Sequence, residues 1–358
     1  MQQLKAILFF LLTAFMGAAV ILLIFELGPD LDVLSGAPII LTVLFVFLSM
    51  LIHIAIHEAG HYVAGRIAKF RLLAFRLWFL VWEDQNGRMQ FRMERARGFL
   101  GMCAMTPTQE PVKKSAFLLY ISGGILVNLT TAIVAFSALP YAPSPILASA
   151  LYMFGVIGIF TGIINLLPIS AQGVMSDGLI IWSILFRRPI AERLMQAQLV
   201  SAKSVAGVRP RDFDLPAFDP NETRSDAEKA FVIYHYYQAI DAREWDEAER
   251  ILHYLEAHLL QTASPAHLPI YYELCFMACL RNHIDTAQSH YQKAEPLLKK
   301  DNDVNGLRVK AYYAYYVEND ATFAAELCRK AEDVAPLFAV KGNAMMEEDL
   351  VRELMRKL

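Results

Sequence analysis

The chain has 358 residues, of which 56% are hydrophobic and 19% charged, and its formal net charge is −3. That length accommodates two domains of ordinary size, and the charge balance implies no nucleic-acid partner. Its four cysteines, Cys103, Cys275, Cys279 and Cys328, form no CxxC pair and no framework spacing, so nothing requires an oxidising compartment.

Four stretches lack Asp, Glu, Lys and Arg altogether: Ala6 to Phe25, Val33 to Ile56, Ser115 to Ala138 and Ile146 to Leu167. A helix rising about 1.5 Å per residue crosses a roughly 30 Å hydrocarbon core in about 20 residues, and each stretch is that long. The first outruns the roughly 7–15 residues of a signal-peptide core and lacks a small-x-small site before "ELGPDLD", so it reads as a retained span.

The second stretch ends in "HEAGH", residues 57 to 61. The segment that follows, Tyr62 to Lys114, holds ten basic and four acidic residues. Within it, aromatic and branched residues flank Asn86-Gly87, the strongest short hairpin signal, so a small β-hairpin is expected there. The loop after the first stretch carries Glu26, Asp30 and Asp32 and no base, and "LPYAPSP" after the third is uncharged. Lys and Arg collect on the cytoplasmic side of short loops. Four spans with the N-terminus and the C-terminal domain in the cytoplasm satisfy this pattern, and HEAGH then lies at the cytoplasmic end of span two.

After the fourth stretch, Pro168 and Gly173 interrupt regular helix, and Gly178 is expected to let the backbone turn at Asp177. The "LIIWSILF" beyond it is too short to span and reads as a re-entrant or interfacial helix, or as the kinked end of a longer one. Residues 201–224 include three prolines and read as a linker, closing on a capping box, Ser225-x-x-Glu228. From 225 to 358 the chain is expected to be helical with a loose repeat. "AIDAREWDEAERIL" matches "ACLRNHIDTAQSHY" 39 residues later, with Ala239 over Ala278 and Ala248 over Ala287, and a weaker third copy includes Ala314 and Ala324. Paired helices at this period resemble tetratricopeptide repeats; a plain helical bundle is the alternative.

The chemistry centres on HEAGH. Residues i and i+4 share a helix face, so His57 and His61 can reach one Zn²⁺ at about 2.0–2.1 Å. Glu58 then lies beside the ion, placed to take a proton from water. Ionisable groups in a membrane segment are costly, and such residues are functional by default. Catalytic zinc usually has three protein ligands. His53 fails as the third, because it sits two turns, roughly 11–12 Å, from His61; it reads either as a polar neighbour of the ligands or as a satisfied bundle-facing histidine. Asp177 is the better candidate, being the sole carboxylate between Glu110 and Glu192 and following span four at the same level. An ordinary helix N-cap is the competing explanation for that aspartate.

HExxH on one apolar stretch, with Asn165, Pro168, Asp177 and Gly178 on a later one, resembles the site-2 protease family of intramembrane zinc metalloproteases. The likeness covers roughly residues 37 to 187. It implies zinc on His57, His61 and Asp177, water activation by Glu58, and a substrate-binding role for Asn165. "GGILVN", which ends at Asn128, resembles the small-residue and asparagine pattern of the family's intervening helix, and Asn128 is grouped with Asn165 as substrate-binding. The Pro-to-Asp interval departs from the family by its length and by Ser176 before the aspartate.

The expectation is therefore an all-α polytopic membrane protein with a soluble α-helical repeat domain. Residues 1–200 form a membrane-embedded zinc metalloprotease domain, 201–224 the linker and 225–358 a cytoplasmic tetratricopeptide-like domain. The substrate would be a membrane-anchored protein, the repeat domain would receive a cytoplasmic protein partner, and the location would be a bacterial cell membrane. A leader-peptide-trimming enzyme differs only in substrate. A non-proteolytic membrane scaffold is the alternative from another class.

Overall fold

The computed structural model describes residues 38–85, 88–93, 100–171, 174–221, 226–259 and 268–358. The expected first span, Ser225 of the capping box and the Asn86-Gly87 turn lie outside these residues. The chain is mostly helical and divides into two compact units. The first comprises the described parts of Met1–Leu77, Leu100–Ile169 and Met175–Arg188, and the second those of Trp78–Phe99, Ser170–Val174 and Pro189–Leu358.

Three helices of the first unit are long and apolar enough to cross a membrane: α1 (Pro38–Ile67), α2 (Lys114–Ala138) and α3 (Pro145–Leu166). They coincide with the second, third and fourth uncharged stretches. On these helices Ile40, Val43, Phe47, Ile133 and Val134 are more than half exposed. Glycine sets their packing. A Cβ on Gly60 would lie 2.5 Å from the Gly123 carbonyl oxygen, and one on Gly123 would lie 2.3 Å from that of Gly60. The backbones of α1 and α2 therefore meet directly, the small-residue contact by which apolar helices gain van der Waals packing. Gly155 and Gly162 on α3 likewise seat Phe136 and Leu129 of α2.

Strands β1 (Phe70–Leu77) and β4 (Gly101–Pro107) pair antiparallel from Phe70↔Pro107 to Leu77↔Gly101, with a register shift between Leu72 and Ala74. In the second unit, β2 (Leu80–Gln85) and β3 (Arg88–Met93) form the expected hairpin, its last pair Gln85↔Arg88 flanking the Asn-Gly dipeptide. The first unit thus has a strand pair that the hairpin expectation did not include. "GMCAMTP" of β4 has neither β-branched enrichment nor alternation, and its partner lies more than 20 residues away, so local pattern does not reveal it.

Among the described residues, the first unit has one further α-helix, α4 (Asp177–Leu185), separate from α3. In the second unit α5 (Ala191–Val205) reaches into the segment read as linker. Three helix pairs and a final helix follow: α6 (Asp226–Asp241) with α7 (Trp245–Leu259), α8 (Leu268–Leu280) with α9 (Ile284–Leu298), α10 (Val304–Tyr316) with α11 (Ala321–Val334), and α12 (Lys341–Met355).

The turns inside the first two pairs share one design, and the third is one residue longer. Arg243, Asn282 and Asn319 all adopt positive φ, at 64°, 58° and 56°. The N–H of Glu244 donates to the Ala239 carbonyl at 2.8 Å, and that of His283 to Ala278 at 2.9 Å. This is the six-to-one bond of a left-handed helix stop. In the third pair the N–H of Asp320 reaches Ala314 at 2.9 Å. The alanines aligned in the sequence are these acceptors. Their partners, Ala248, Ala287 and Ala324, are fully buried one turn into the following helix.

A candidate metal centre of two histidines and an aspartate

The i, i+4 spacing on α1 stacks His57 and His61 with ring centroids 4.6 Å apart and the rings nearly perpendicular, at 89°. Their Nε2 atoms lie 3.1 Å from each other. Asp177, at the start of α4, places Oδ2 at 3.2 Å from both. Three ligand atoms thus form a nearly equilateral triangle. Donors about 2.0–2.1 Å from a tetrahedral zinc are about 3.3 Å apart, so the triangle fits such an ion with little adjustment. Among the described residues this is the one group of three His, Cys, Asp or Glu donors able to converge in this way.

The second nitrogen of each imidazole is also engaged. His61 Nδ1 lies 3.1 Å from the Tyr120 carbonyl oxygen on α2, and only an N–H is favourable there. Nδ1 is therefore a donor, and Nε2 is the atom that faces Asp177. An imidazole nitrogen and a carboxylate oxygen this close share a positive charge, either a proton or a metal ion. His57 Nδ1 lies 3.3 Å from the Asn128 amide. Carbonyl and amide partners of this kind orient metal-binding histidines.

Space for the two rings comes from Gly124, where a Cβ would lie 2.7 Å from His57 Nδ1 and 2.7 Å from His61 Nε2. The "GG" of the third apolar stretch thus has two duties: Gly123 admits the α1 backbone, and Gly124 admits the imidazoles. Glu58 packs beside Gly101 of β4 and meets the Cys103 backbone, within electrostatic reach of His57, His61 and Asp177. Tyr120 anchors the same strand through its hydroxyl, which donates to the Cys103 carbonyl at 2.7 Å.

Asp177 is held by a closed loop. The α3 helix ends at Leu166, directly before Leu167-Pro168, as the steric demand of proline requires. The chain returns at Ser176, whose hydroxyl donates to the Leu167 carbonyl at 2.6 Å, while its backbone N–H donates to that of Ile169 at 3.0 Å. Ser176 Oγ also accepts from the Leu179 N–H at 3.3 Å, so Ser176 is the N-cap of α4. Asp177 is the first helical residue and its carboxylate stays free for the histidines; the N-cap explanation applies to its neighbour.

Gly178 needs correcting. It has ordinary helical backbone and makes no turn. A Cβ there would lie 2.1 Å from the Leu166 carbonyl oxygen, so glycine is required by the close approach of α4 to the end of α3. Trp182 completes that junction by donating from Nε1 to the same carbonyl at 2.8 Å. The sequence marks Ser176 only as a departure from the family pattern and Gly124 only as part of "GGILVN", and it gives Tyr120 no role. A Ser-x-x run opening an apolar helix was the available signal for Ser176; a backbone carbonyl leaves none.

Asn128 is buried on α2, between His53 and His57. Asn165 donates to the Thr161 carbonyl one turn back on α3, at 3.0 Å, and this described bond does not tie it to the three converging residues. Comparison with known proteins found no matching family, no matching curated protein and no matching solved structure.

Proposed function

We propose that this protein is an intramembrane zinc metalloprotease of the site-2 protease type, cutting a membrane-anchored protein in or near its transmembrane segment. The observation that carries the reading is the triangle of His57 Nε2, His61 Nε2 and Asp177 Oδ2, with edges of 3.1–3.2 Å, built on a helix apolar enough to span a bilayer. His57, His61 and Asp177 would hold the ion, leaving its fourth position open. Zinc bound there supplies an acidified water and a Lewis acid for the scissile carbonyl. Glu58, adjacent to His57 and packed under β4, is the group that takes and returns the proton. Asn165 is retained as a substrate-side residue on the family likeness alone.

Several features support the wider reading. Three span-length helices and a basic loop between the first two favour a multi-pass protein whose HEAGH end faces the cytoplasm; with Ala6–Phe25 there would be four spans. The recurrent turn at Arg243, Asn282 and Asn319 favours a tetratricopeptide-like domain in the cytoplasm that receives a protein partner.

The test is metal content and product. About one zinc per detergent-purified chain is expected, lost or weakened in His57→Ala and Asp177→Asn and kept in Glu58→Gln. Membranes carrying the wild type, compared with Glu58→Gln, should yield new peptide termini inside or beside apolar segments. A well-folded wild type without zinc sinks the metal centre. Zinc without such termini leaves a metal-binding membrane scaffold.

A further inference from the structure

His53, three apolar residues before HEAGH, is fully buried, and its ring lies against Phe154 of α3 with centroids 4.2 Å apart. The seat is built for it: a Cβ on Gly158 would lie 2.5 Å from His53 Cε1. A histidine in an apolar helix pair needs a reason, and its two nitrogens supply one.

His53 Nε2 lies 2.9 Å from the Phe154 carbonyl oxygen. A carbonyl offers only lone pairs, so this nitrogen carries a proton and donates. Buried, with a carbonyl and an amide as its partners here, the ring is neutral. Its Nδ1 is therefore an acceptor, and 3.4 Å from it is the side-chain amide of Asn128. An acceptor must be met by the amide nitrogen. The two orientations of a carboxamide are nearly isosteric, and this contact selects the one with nitrogen toward His53 and oxygen toward His57, the reverse of the assignment that sets Oδ1 3.4 Å from His53 and Nδ2 3.3 Å from His57. The oxygen then receives a proton from His57 Nδ1, across 3.3 Å; Thr161 Oγ1, 3.2 Å from the same amide, must then turn its hydroxyl proton from the Ile157 carbonyl toward that oxygen. A neutral imidazole protonated on Nδ1 has its lone pair on Nε2, the atom that faces His61 and Asp177.

Resting on the metal-centre reading above, we propose that His53 and Asn128 are positioning residues, a relay from the Phe154 carbonyl that fixes His57 in its metal-binding tautomer and ring orientation. Each link demands the next: carbonyl, N–H, lone pair, amide nitrogen, amide oxygen, N–H. His61 receives the same setting directly from the Tyr120 carbonyl, so the two ligands are prepared by different routes. The relay gives buried Asn128 a task within the helix bundle, in place of the substrate contact expected from family likeness.

The test uses full-length protein in detergent, with circular dichroism confirming that each variant folds. Zinc affinity is expected to fall about 10–100-fold in Asn128→Leu and in His53→Phe, which keeps the ring and its packing but loses both nitrogens. It should recover in His53→Gln, whose amide offers one donor and one acceptor. Nitrogen NMR of labelled histidines in the zinc-free protein should show His57 protonated on Nδ1 in the wild type and His53→Gln, with that preference lost in the other two. Unchanged zinc affinity and tautomer in Asn128→Leu and His53→Phe, with zinc lost in His57→Ala, would overturn the relay and leave the metal centre standing. A wild type that binds no zinc yet holds His57 as the Nδ1–H tautomer, dependent on Asn128, would support the relay and overturn the metal centre. His57 protonated on Nε2 in the zinc-free wild type would overturn the relay whatever the zinc result.

Discussion

Gly124 decides more about the candidate site than its lack of a side chain suggests. A methyl there would lie 2.7 Å from atoms of both imidazoles, well inside van der Waals contact. Gly124→Ala is therefore expected to lower zinc affinity at least about tenfold, since a displaced ligand shell costs as much as a lost outer partner. The control is Leu126→Ala, two residues on and 54% exposed, which should leave zinc affinity unchanged in the same titration. Gly123→Ala should act differently. Its methyl meets the Gly60 backbone at 2.3 Å, so the helix pair itself is pushed apart and the thermal transition falls along with metal binding.

Between residue and domain, the junction of α3 and α4 shows how one element is placed by the end of another. The last carbonyls of α3 lack intrahelical partners. Leu166 receives the Trp182 indole N–H and Leu167 the Ser176 hydroxyl, so the orphan groups of one helix become the docking site of the next. Ser176→Ala removes a cap and a carbonyl partner together. A loss of about 1–2 kcal/mol is expected, with weaker zinc binding because Asp177 is the adjacent residue. Thermal unfolding beside a zinc titration reads both effects. The intra-pair turns of the second unit give a second expectation at this scale. Asn282 at φ 58° occupies a conformation that asparagine tolerates and alanine does not. Asn282→Ala should cost about 1 kcal/mol, and Asn282→Gly should be neutral or slightly stabilising, as read from denaturant midpoints.

Across the second unit as a whole, one buried charge cluster ties four helices. Arg308 of α10 is fully buried and donates from Nη2 to Glu273 of α8 at 2.8 and 2.9 Å, and from Nε to Glu347 of α12. Its guanidinium stacks on Phe276 at 4.2 Å, and Tyr236 of α6 donates to Glu273 at 2.8 Å. One cation faces two carboxylates. Burial, reinforced by the charge of Glu273 and opposed by Arg308, pushes the Glu347 carboxyl up to about 7. A carboxyl raised on folding favours the folded state when protonated, so its contribution is complete below the unfolded value of about 4.5 and is lost as pH rises through 7. The unfolding temperature of this unit should fall between pH 5 and pH 8. Glu347→Gln, which keeps an acceptor for Arg308, should flatten that slope. Arg308→Ala strands two carboxylates in the core, and a loss of about 3–5 kcal/mol is expected.

The sequence by itself determined the parts whose cause is local. Uncharged stretches of at least 20 residues specify apolar helices because no other structure satisfies so much backbone at so little polar cost. Asn86-Gly87 specified the hairpin, and the aligned alanines marked the recurrent turns, since both are short-range demands on backbone and packing. HEAGH put two imidazoles on one face through helix periodicity alone. The tertiary structure decided what depends on distant chain segments meeting. The 3.2 Å approach of Asp177 to His57 and His61 spans about 120 residues of sequence and is set by Ser176, Gly178 and Trp182 gripping the end of α3. The pairing of β4 with β1, the use of a Tyr120 backbone carbonyl, and the position of Asn128 between two histidines are likewise set by helix and strand contacts. A carbonyl group is common to every residue and a glycine's neighbours are unwritten in its letter, so these relations appear only when the chain is folded.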